Sequence, residues 1–407
     1  MEMKSMAATN EKVSNYIPDE ISFSILSKLP LKSLKRFECV QKSWSLLFEN
    51  HHFMNMFRNN FLSYHVPSSL ILGAVENYKK VYYSFSGVRF ENKVKLDWSN
   101  SYRYHIYTRV FGFGNVNGTF CLYTGHNGNI VLWNPTTQTI MPLPHSEVEL
   151  VQLYMPHGAN DYVDFNVDYY VHGFGYDHVI NDYNVIRYVD IYRELLCEYP
   201  EDESSILLDW LVSTDIDPLW EIYSLRSNSW RKLHVDMPHS SQCYECTQVY
   251  MDGVCHWLCE YHETVGPCLV SFYLRNEVFF ITPIPSCVDD CFYSETSWIN
   301  LAVLNESTAL ISYHMETTTF HISILGEIGL EESWTKLLIV GPLSFVMRPI
   351  GVGVKGEIIF IRKDEELVWL DLSTQMTAEL GYKGGVVHSS QIIIYKESIL
   401  PIKGISN

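Results

Sequence analysis

The chain has 407 residues, 47% of them hydrophobic and 14% aromatic, with a formal net charge of -18. That length is too great for one ordinary core and predicts two or three domains, or one small domain beside one large repeat domain. The negative balance disfavours a nucleic-acid binder, and no apolar run approaches the ~18 residues that span a bilayer.

The first stretch, residues 1–15, is polar, has no signal-type apolar segment and is expected to be disordered. A soluble protein of the cytoplasm and/or nucleus is expected, so its ten cysteines should be reduced and mostly buried. The Asn-x-Ser/Thr sites at Asn117 and Asn305 should then be silent.

Residues 17–62 read as helices. Pro18 suits a helix start, because its missing N–H would be an orphan there, and Pro30 must end that helix. Between them Ile21, Ile25 and Leu29 recur every four residues with Leu26 beside them, an apolar stripe of about three turns. A second short helix would carry Leu31, Leu34 and Phe37, and a third Val40, Trp44, Leu47 and Phe48. A unit of about 45 residues is close to the size at which chains need help from a partner to stay folded, so surplus apolar surface is expected. The order of leucines, Pro30, Cys39-Val40 and Lys42-Ser43-Trp44 resembles an F-box, with Gln41 departing from the small residue or cysteine common there. That resemblance implies docking on a Skp adaptor and, through it, on a cullin. It marks Ile17, Pro18, Ile21, Leu26, Leu29, Pro30, Leu31, Leu34, Val40 and Trp44 as docking and supporting residues, without saying which face the adaptor.

After the F-box, Phe53, Met56, Phe57 and Phe61 keep helical spacing, and from about Leu70 the period changes. Ser69-Leu70-Ile71-Leu72, Lys79 to Tyr83, Ile130 to Trp133 and Gly356 to Ile361 are β-branched and aromatic, and are bounded by turn residues. Turn pairs open strands at Asn117-Gly118, Asp252-Gly253 and Lys355-Gly356. Later strands recur around Trp133, Tyr223, Phe272, Ile322 and Trp369, the last four spaced 49, 50 and 47 residues apart. The 90 residues from Trp133 to Tyr223 fit two shorter units. A period near 45 to 50 is the mark of a β-propeller with kelch-like blades, six or seven here. Trp133, Trp230, Trp334 and Trp369 recur at one place in the repeat, and are expected to fill gaps between blades.

The segments Leu132 to Thr137, Gly173 to Asp177, Tyr223 to Arg231, Gly253 to Leu258 and Glu332 to Leu337 resemble the plant F-box-associated domain, and Ile392 to Ser398 resembles the end of the S-locus-type members. Asn184 stands where Lys is usual there, and paired glycines occur only at Gly384-Gly385. The expected organisation is α+β multidomain: an F-box over 16–62 and an all-β F-box-associated propeller over 63–402.

Catalytic signals are weak. Gly351-Val352-Gly353-Val354-Lys355-Gly356 has the letters of a dinucleotide fingerprint but runs into a strand, so it lacks the helix N-terminus that holds a pyrophosphate. Cys243 and Cys246, with Cys255, His256 and Cys259, lack a second metal-knuckle spacing, and reduced structural thiols are the better reading. No Gly-x-Ser-x-Gly elbow is present. No cofactor or metal is expected. Charge is the one strong asymmetry: Glu147 to Glu221 holds seventeen acids against Arg187 and Arg193, a net of -15, whereas residues 17–62 sum to +2. Such a surface repels nucleic acid and can steer a basic protein, or it can merely solubilise. Glu201, Asp202 and Glu203, in an expected loop after Pro200, are the candidate target contacts.

Together the resemblances imply a non-catalytic substrate receptor of a Skp-cullin-F-box ubiquitin ligase, presenting an unidentified target, basic on the charge argument, for ubiquitination and degradation. The alternative is a propeller that binds a glycan or small molecule, lectin-like or enzymatic, with a helical cap.

Overall fold

The computed structural model describes residues 18–27, 50, 52–53, 56, 69–76, 79–87, 89–96, 108–112, 114–124, 129–147, 163–195, 218–240, 248–260, 266–285, 298–304, 307–331, 334–353, 357–372, 375–383, 390–400 and 402. The chain divides into two compact units, Met1–Val66 and Pro67–Asn407. In the first, α1 (Asp19–Leu26) follows Pro18, whose carbonyl accepts from the amides of Ile21 and Ser22.

The second unit is six four-stranded antiparallel sheets. The chain first lays down β1 (Ser69–Glu76), β2 (Lys79–Ser86) and β3 (Asn92–Lys95), three strands of blade 1. Blade 2 is β4 (Thr108–Val110), β5 (Phe120–Thr124), β6 (Asn129–Asn134) and β7 (Thr139–Pro142). Blade 3 is β8 (Val163–Asp177), β9 (Asp182–Leu195), β10 (Leu219–Ser224) and β11 (Ser229–Leu233). Blade 4 is β12 (Gln248–Met251), β13 (Val254–Cys259), β14 (Cys268–Tyr273) and β15 (Val278–Pro283). Blade 5 is β16 (Trp298–Leu304), β17 (Ser307–His314), β18 (Thr319–Leu325) and β19 (Trp334–Val340). Blade 6 is β20 (Val346–Val352), β21 (Ile358–Arg362), β22 (Glu366–Leu370) and β23 (Thr377–Lys383). The last strand, β24 (Gln391–Tyr395), returns to β1 with Ile71 opposite Ile393 and completes blade 1 as its innermost strand. Closing the ring with a strand from the far end of the chain ties the two termini of the propeller together and leaves no blade incomplete.

The blade count is six, the lower of the two values the repeat allowed. The 90 residues between Trp133 and Tyr223 are one blade rather than two: β6 and β10 are the third strands of consecutive blades. Blade 3 absorbs the length in β8 and β9, of 15 and 14 residues, and in the segment between β9 and β10.

Each blade is sandwiched between two others, so its inner strands are buried on both faces. They therefore read as continuous apolar runs such as Val254-Cys255-His256-Trp257-Leu258-Cys259, every residue of which is buried. Outer strands alternate, as β15 does, because one edge and part of one face meet solvent. Six apolar clusters occupy the six gaps between blades. Trp133 and Phe120 fill the gap between blades 1 and 2, Phe174 and Tyr183 that between 2 and 3, and Trp220 with Trp257 that between 3 and 4. Leu258 and Leu310 belong to the cluster of the next gap, Phe320 and Phe360 to that of the next, and Leu70 and Ile359 to that of the last.

Candidate recognition surfaces

On α1 the apolar residues sort into two groups. Phe23 and Leu26 are buried at 8% and 7% exposure, and Phe23 packs edge-on against Phe53 at 5.4 Å. Ile21 and Ile25 stand out at 52% and 57% exposure. Two isoleucines one turn apart and both in solvent form an unsatisfied apolar ridge. Leu26, among the expected docking residues, belongs to the interior of this unit. Ile25 belongs to the stripe read in the sequence but not to the expected docking residues, although its four-residue spacing from Ile21 was the available signal. Pro18 is exposed at the helix start. Ile17, Leu29, Pro30, Leu31, Leu34, Val40 and Trp44 lie outside the described residues, as do Glu201, Asp202 and Glu203.

In the propeller, the motifs that resemble the F-box-associated domain are occupied with holding the fold. Asn134 is fully buried: its Oδ1 accepts from the amides of Thr136 and Thr137, shaping the turn after β6, while its Nδ2 donates to the carbonyl of Ser398. The tail beyond β24 is thereby strapped across blade 2, and Ile402 is buried in the gap to blade 3. A Cβ on Gly175 would lie 2.6 Å from the Tyr250 ring of the next blade, whose hydroxyl donates to the Tyr176 carbonyl at 2.6 Å. Trp230 Nε1 donates to the Pro144 carbonyl and Trp334 Nε1 to the Pro283 carbonyl, each reaching the end of the preceding blade's outer strand. The four tryptophans do fill gaps between blades, but they occupy two places in the repeat: Trp133 and Trp369 on third strands, Trp230 and Trp334 on fourth strands. Arg187 and Glu221, opposite each other on β9 and β10, form a buried ion pair with 2.9 and 2.7 Å hydrogen bonds, and the guanidinium lies between the rings of Tyr169 and Trp230.

Zinc has no set of ligands here among the described residues. Cys255 and His256 are consecutive on a strand and so point to opposite faces. Cys255 packs into the gap toward blade 3, and His256 bonds through Nδ1 to Ser271 Oγ at 2.9 Å. Burial pushes the Cys121 and Cys255 thiols up, away from the reactive thiolate. No helix among the described residues is long and apolar enough to cross a membrane.

Strand direction gives the propeller two unlike faces. The chain enters β1 and leaves β24 on one of them, the entry face, where first and second strands, and third and fourth strands, are joined. Connections there are short, the longest being 111–119, and many end in a positive φ that closes a tight hairpin, as at Gln138, Asn181, Asn228 and Glu277. Second-to-third-strand and blade-to-blade connections belong to the opposite face, and include 143–162, 196–218, 234–247 and 284–297. Charge follows the same division. Connections of the entry face hold nine acids and four bases, a net of -5, whereas those of the opposite face hold 21 acids against Arg103 and Lys363, a net of -19. The strands themselves sum to +3, so by sequence nearly all the negative charge falls in connections whose flanking strand ends are on the opposite face.

The best-described part of that acidic face is the mouth between blades 3 and 4. β8 and β9 run on past Leu219, the start of β10, as a two-stranded ribbon. Where the ribbon leaves the blade, Tyr170 lies opposite Tyr188 and Asp168 opposite Asp190, all four partly exposed. His239, from the connection between β11 and β12, stacks on Tyr188 with ring centroids 3.8 Å apart. Beneath them His172 is fixed: its Nε2 accepts from the Ser240 amide, its Nδ1 bonds to the Tyr170 carbonyl, and burial lowers its pKa to about 3. The platform is thus held rigidly from below. Burial, aided by the Asp190 and Asp236 carboxylates, pushes the Tyr188 phenol up, and burial pulls His239 down, so both rings are neutral near pH 7.

A closed six-bladed ring, joined in sequence to a small unit with an exposed apolar ridge, fits the two resemblances read in the sequence. The comparisons agree. The model of the F-box associated beta propeller domain matches residues 74–397, and the chain belongs to that family. It is similar to Arabidopsis thaliana F-box protein CPR1, 24% identical over 95% of this chain and 90% of the relative. It is similar also to the F-box/kelch-repeat protein At3g23880 of the same plant, 23% identical over 83% of this chain and 82% of the relative, and to F-box protein At1g11270, 25% identical over 65% and 73%. The chain is a plant F-box protein with an F-box-associated domain.

Proposed function

We propose that this protein is the substrate-recognition subunit of a Skp-cullin-F-box ubiquitin ligase, acting in the cytoplasm or nucleus. Its F-box would dock on the Skp adaptor, and its propeller would hold a target protein whose ubiquitination leads to degradation. The receptor breaks no bond. It raises the effective concentration of target lysines near the conjugating enzyme on the shared scaffold.

The observation that carries this reading is the separation of roles within the propeller. The long connections and most of the negative charge lie in sequence between strand ends of one propeller face, while the other face is closed by short hairpins. Loops that no repeat constrains are where recognition is built on a rigid scaffold.

The test is co-precipitation of the adaptor. Changing Ile21 and Ile25 together to Asp places two charges where an apolar contact is needed. Because both residues are exposed, the melting temperature should hardly move while Skp binding is lost. Leu29→Asp with Leu34→Asp should abolish it likewise. Wild-type adaptor recovery with both soluble double variants overturns the F-box assignment.

A further inference from the structure

The mouth between blades 3 and 4 brings two things together that the fold does not use against each other. Asp168 and Asp190 are directly opposed across antiparallel strands, an arrangement that repels. Among the described residues neither is in an ion pair, and Asp168 accepts a 3.3 Å hydrogen bond from Tyr170. In backbone register a second acidic pair, Asp164 opposite Glu194, falls four residues further out. Arg187 and Glu221 of the same blade form a buried ion pair. At the mouth the two aspartates have no such partner among the described residues and stand beside partly exposed rings.

Those rings are the second observation. Tyr188 and His239 form a stack with planes 12° apart, and Tyr170 stands 6.1 Å from His239 and 6.5 Å from Tyr188, all three partly exposed. Both stacked rings are neutral, so their π-faces can take a cation. A planar cation can lie on such a ring and fork to a carboxylate, and a guanidinium does both, while an ammonium does only the first. The connections whose flanking strand ends lie on this face sum to -19 in sequence, a balance that favours a basic partner.

We propose that this mouth is an arginine-binding site: a basic segment of the target seats an arginine guanidinium on the Tyr188–His239 stack and pairs it with Asp168 and Asp190. The proposal rests on the receptor reading above and names the chemistry its target must present.

The test uses the full-length protein with its adaptor and a fluorescein-labelled Gly-Ser peptide rich in arginine, read by anisotropy. Matching peptides carry lysine or neutral citrulline instead. The arginine peptide should bind, the lysine peptide several-fold more weakly, and the citrulline peptide not at all. Asp168→Asn with Asp190→Asn, and separately Tyr188→Leu, should each weaken arginine binding about tenfold. The double variant should melt no lower than wild type, because it removes a repulsive pair. Glu327→Gln with Glu331→Gln on the entry face should leave binding unchanged. Equal binding by wild type and the Asp168/Asp190 variant, or an equal loss in the entry-face control, overturns the site.

Recovery of targets under proteasome inhibition separates the two claims. Targets trapped equally by wild type and the Asp168/Asp190 variant leave the receptor reading standing and overturn the arginine site. Peptide binding lost in that variant, with no target trapped by wild type, supports the site and overturns the receptor reading.

Discussion

The two faces of this propeller are made from the ends of the same strands, yet they differ as much as two proteins might. The entry face is closed by tight hairpins whose last residue sits in the left-handed region, and by a C-terminal tail that seats Ile402 in the core. The opposite face spends its sequence on long, acidic connections. Packing constrains the first, since a change such as a side chain on Gly175 collides with the neighbouring blade at once. The second carries the longer connections, which is where a family of scaffolds can vary its partners without refolding.

The sharpest way to break this contrast is to damage the scaffold and ask whether the stability cost is confined to it. Arg187 is 1% exposed and Glu221 5%, so removing either alone leaves a buried charge without its partner. Glu221→Leu or Arg187→Met should each cost ~3–5 kcal/mol in urea denaturation. The double change Arg187→Met with Glu221→Leu should recover most of that, because two apolar chains of similar size suit the gap between Tyr169 and Trp230. A double variant as unstable as the singles would show that the ion pair fixes the geometry of blade 3 and is more than a satisfied charge pair.

The repeating part of the fold was legible in the sequence because each third strand has to fill the same gap. Trp133, Tyr223, Phe272, Ile322 and Trp369 all fall on third strands. Blade 3 was misread for the opposite reason: its extra length lies in strands that outgrow the repeat, and a fixed period cannot distinguish a long blade from two short ones. The adaptor surface was half legible. Spacing found the Ile21 stripe, but only packing against Phe53 shows that Phe23 and Leu26 turn inward while Ile21 and Ile25 do not. The arginine site was not legible at all. Asp168 and Asp190 are 22 positions apart and become neighbours through strand register, and His239 arrives from the next blade. The acidic count over Glu147 to Glu221 included both aspartates without revealing that they oppose each other.

A middling effect should come from acid. Burial depresses His256 to about 4 and His172 to about 3, against an ordinary value of 6.5. The unfolded chain takes up protons at these positions as pH falls through 6.5 while the folded chain does not, so stability is lost on acidification. For His256 the loss runs from about pH 6.5 down to about 4, after which both states are protonated. Its full size is roughly 3 kcal/mol at one pKa unit per 1.36 kcal/mol. Urea midpoints measured from pH 7.5 to 4.5 should therefore fall steadily below 6.5. His256→Ala, although less stable at pH 7.5, should fall less over the same interval. Parallel curves for the two proteins would mean that His256 is protonated in the folded state by some partner it gains at low pH.

The smallest stability effect is expected where the functional effect may be looked for last, in the longest acidic connection. Glu201, Asp202 and Glu203 follow Pro200 between β9 and β10, and the ends of those strands assign the connection to the acidic face. Replacing them with Gln, Asn and Gln removes three of that face's 21 acids without touching a described strand. Stability should stay within about 0.5 kcal/mol of wild type. Attraction over a distance is another matter: screening limits its reach to about 8 Å at physiological salt, so the benefit of these charges appears in low salt and in the association rate. The on-rate for a captured target, or for the arginine peptide, should fall in the triple variant and should fall further as salt rises, with the off-rate nearly constant. An off-rate that rises instead would place these three side chains in the bound interface itself, beside the Tyr188–His239 stack. An on-rate independent of both salt and substitution would make this connection a solubilising surface and leave recognition to the mouth between blades 3 and 4.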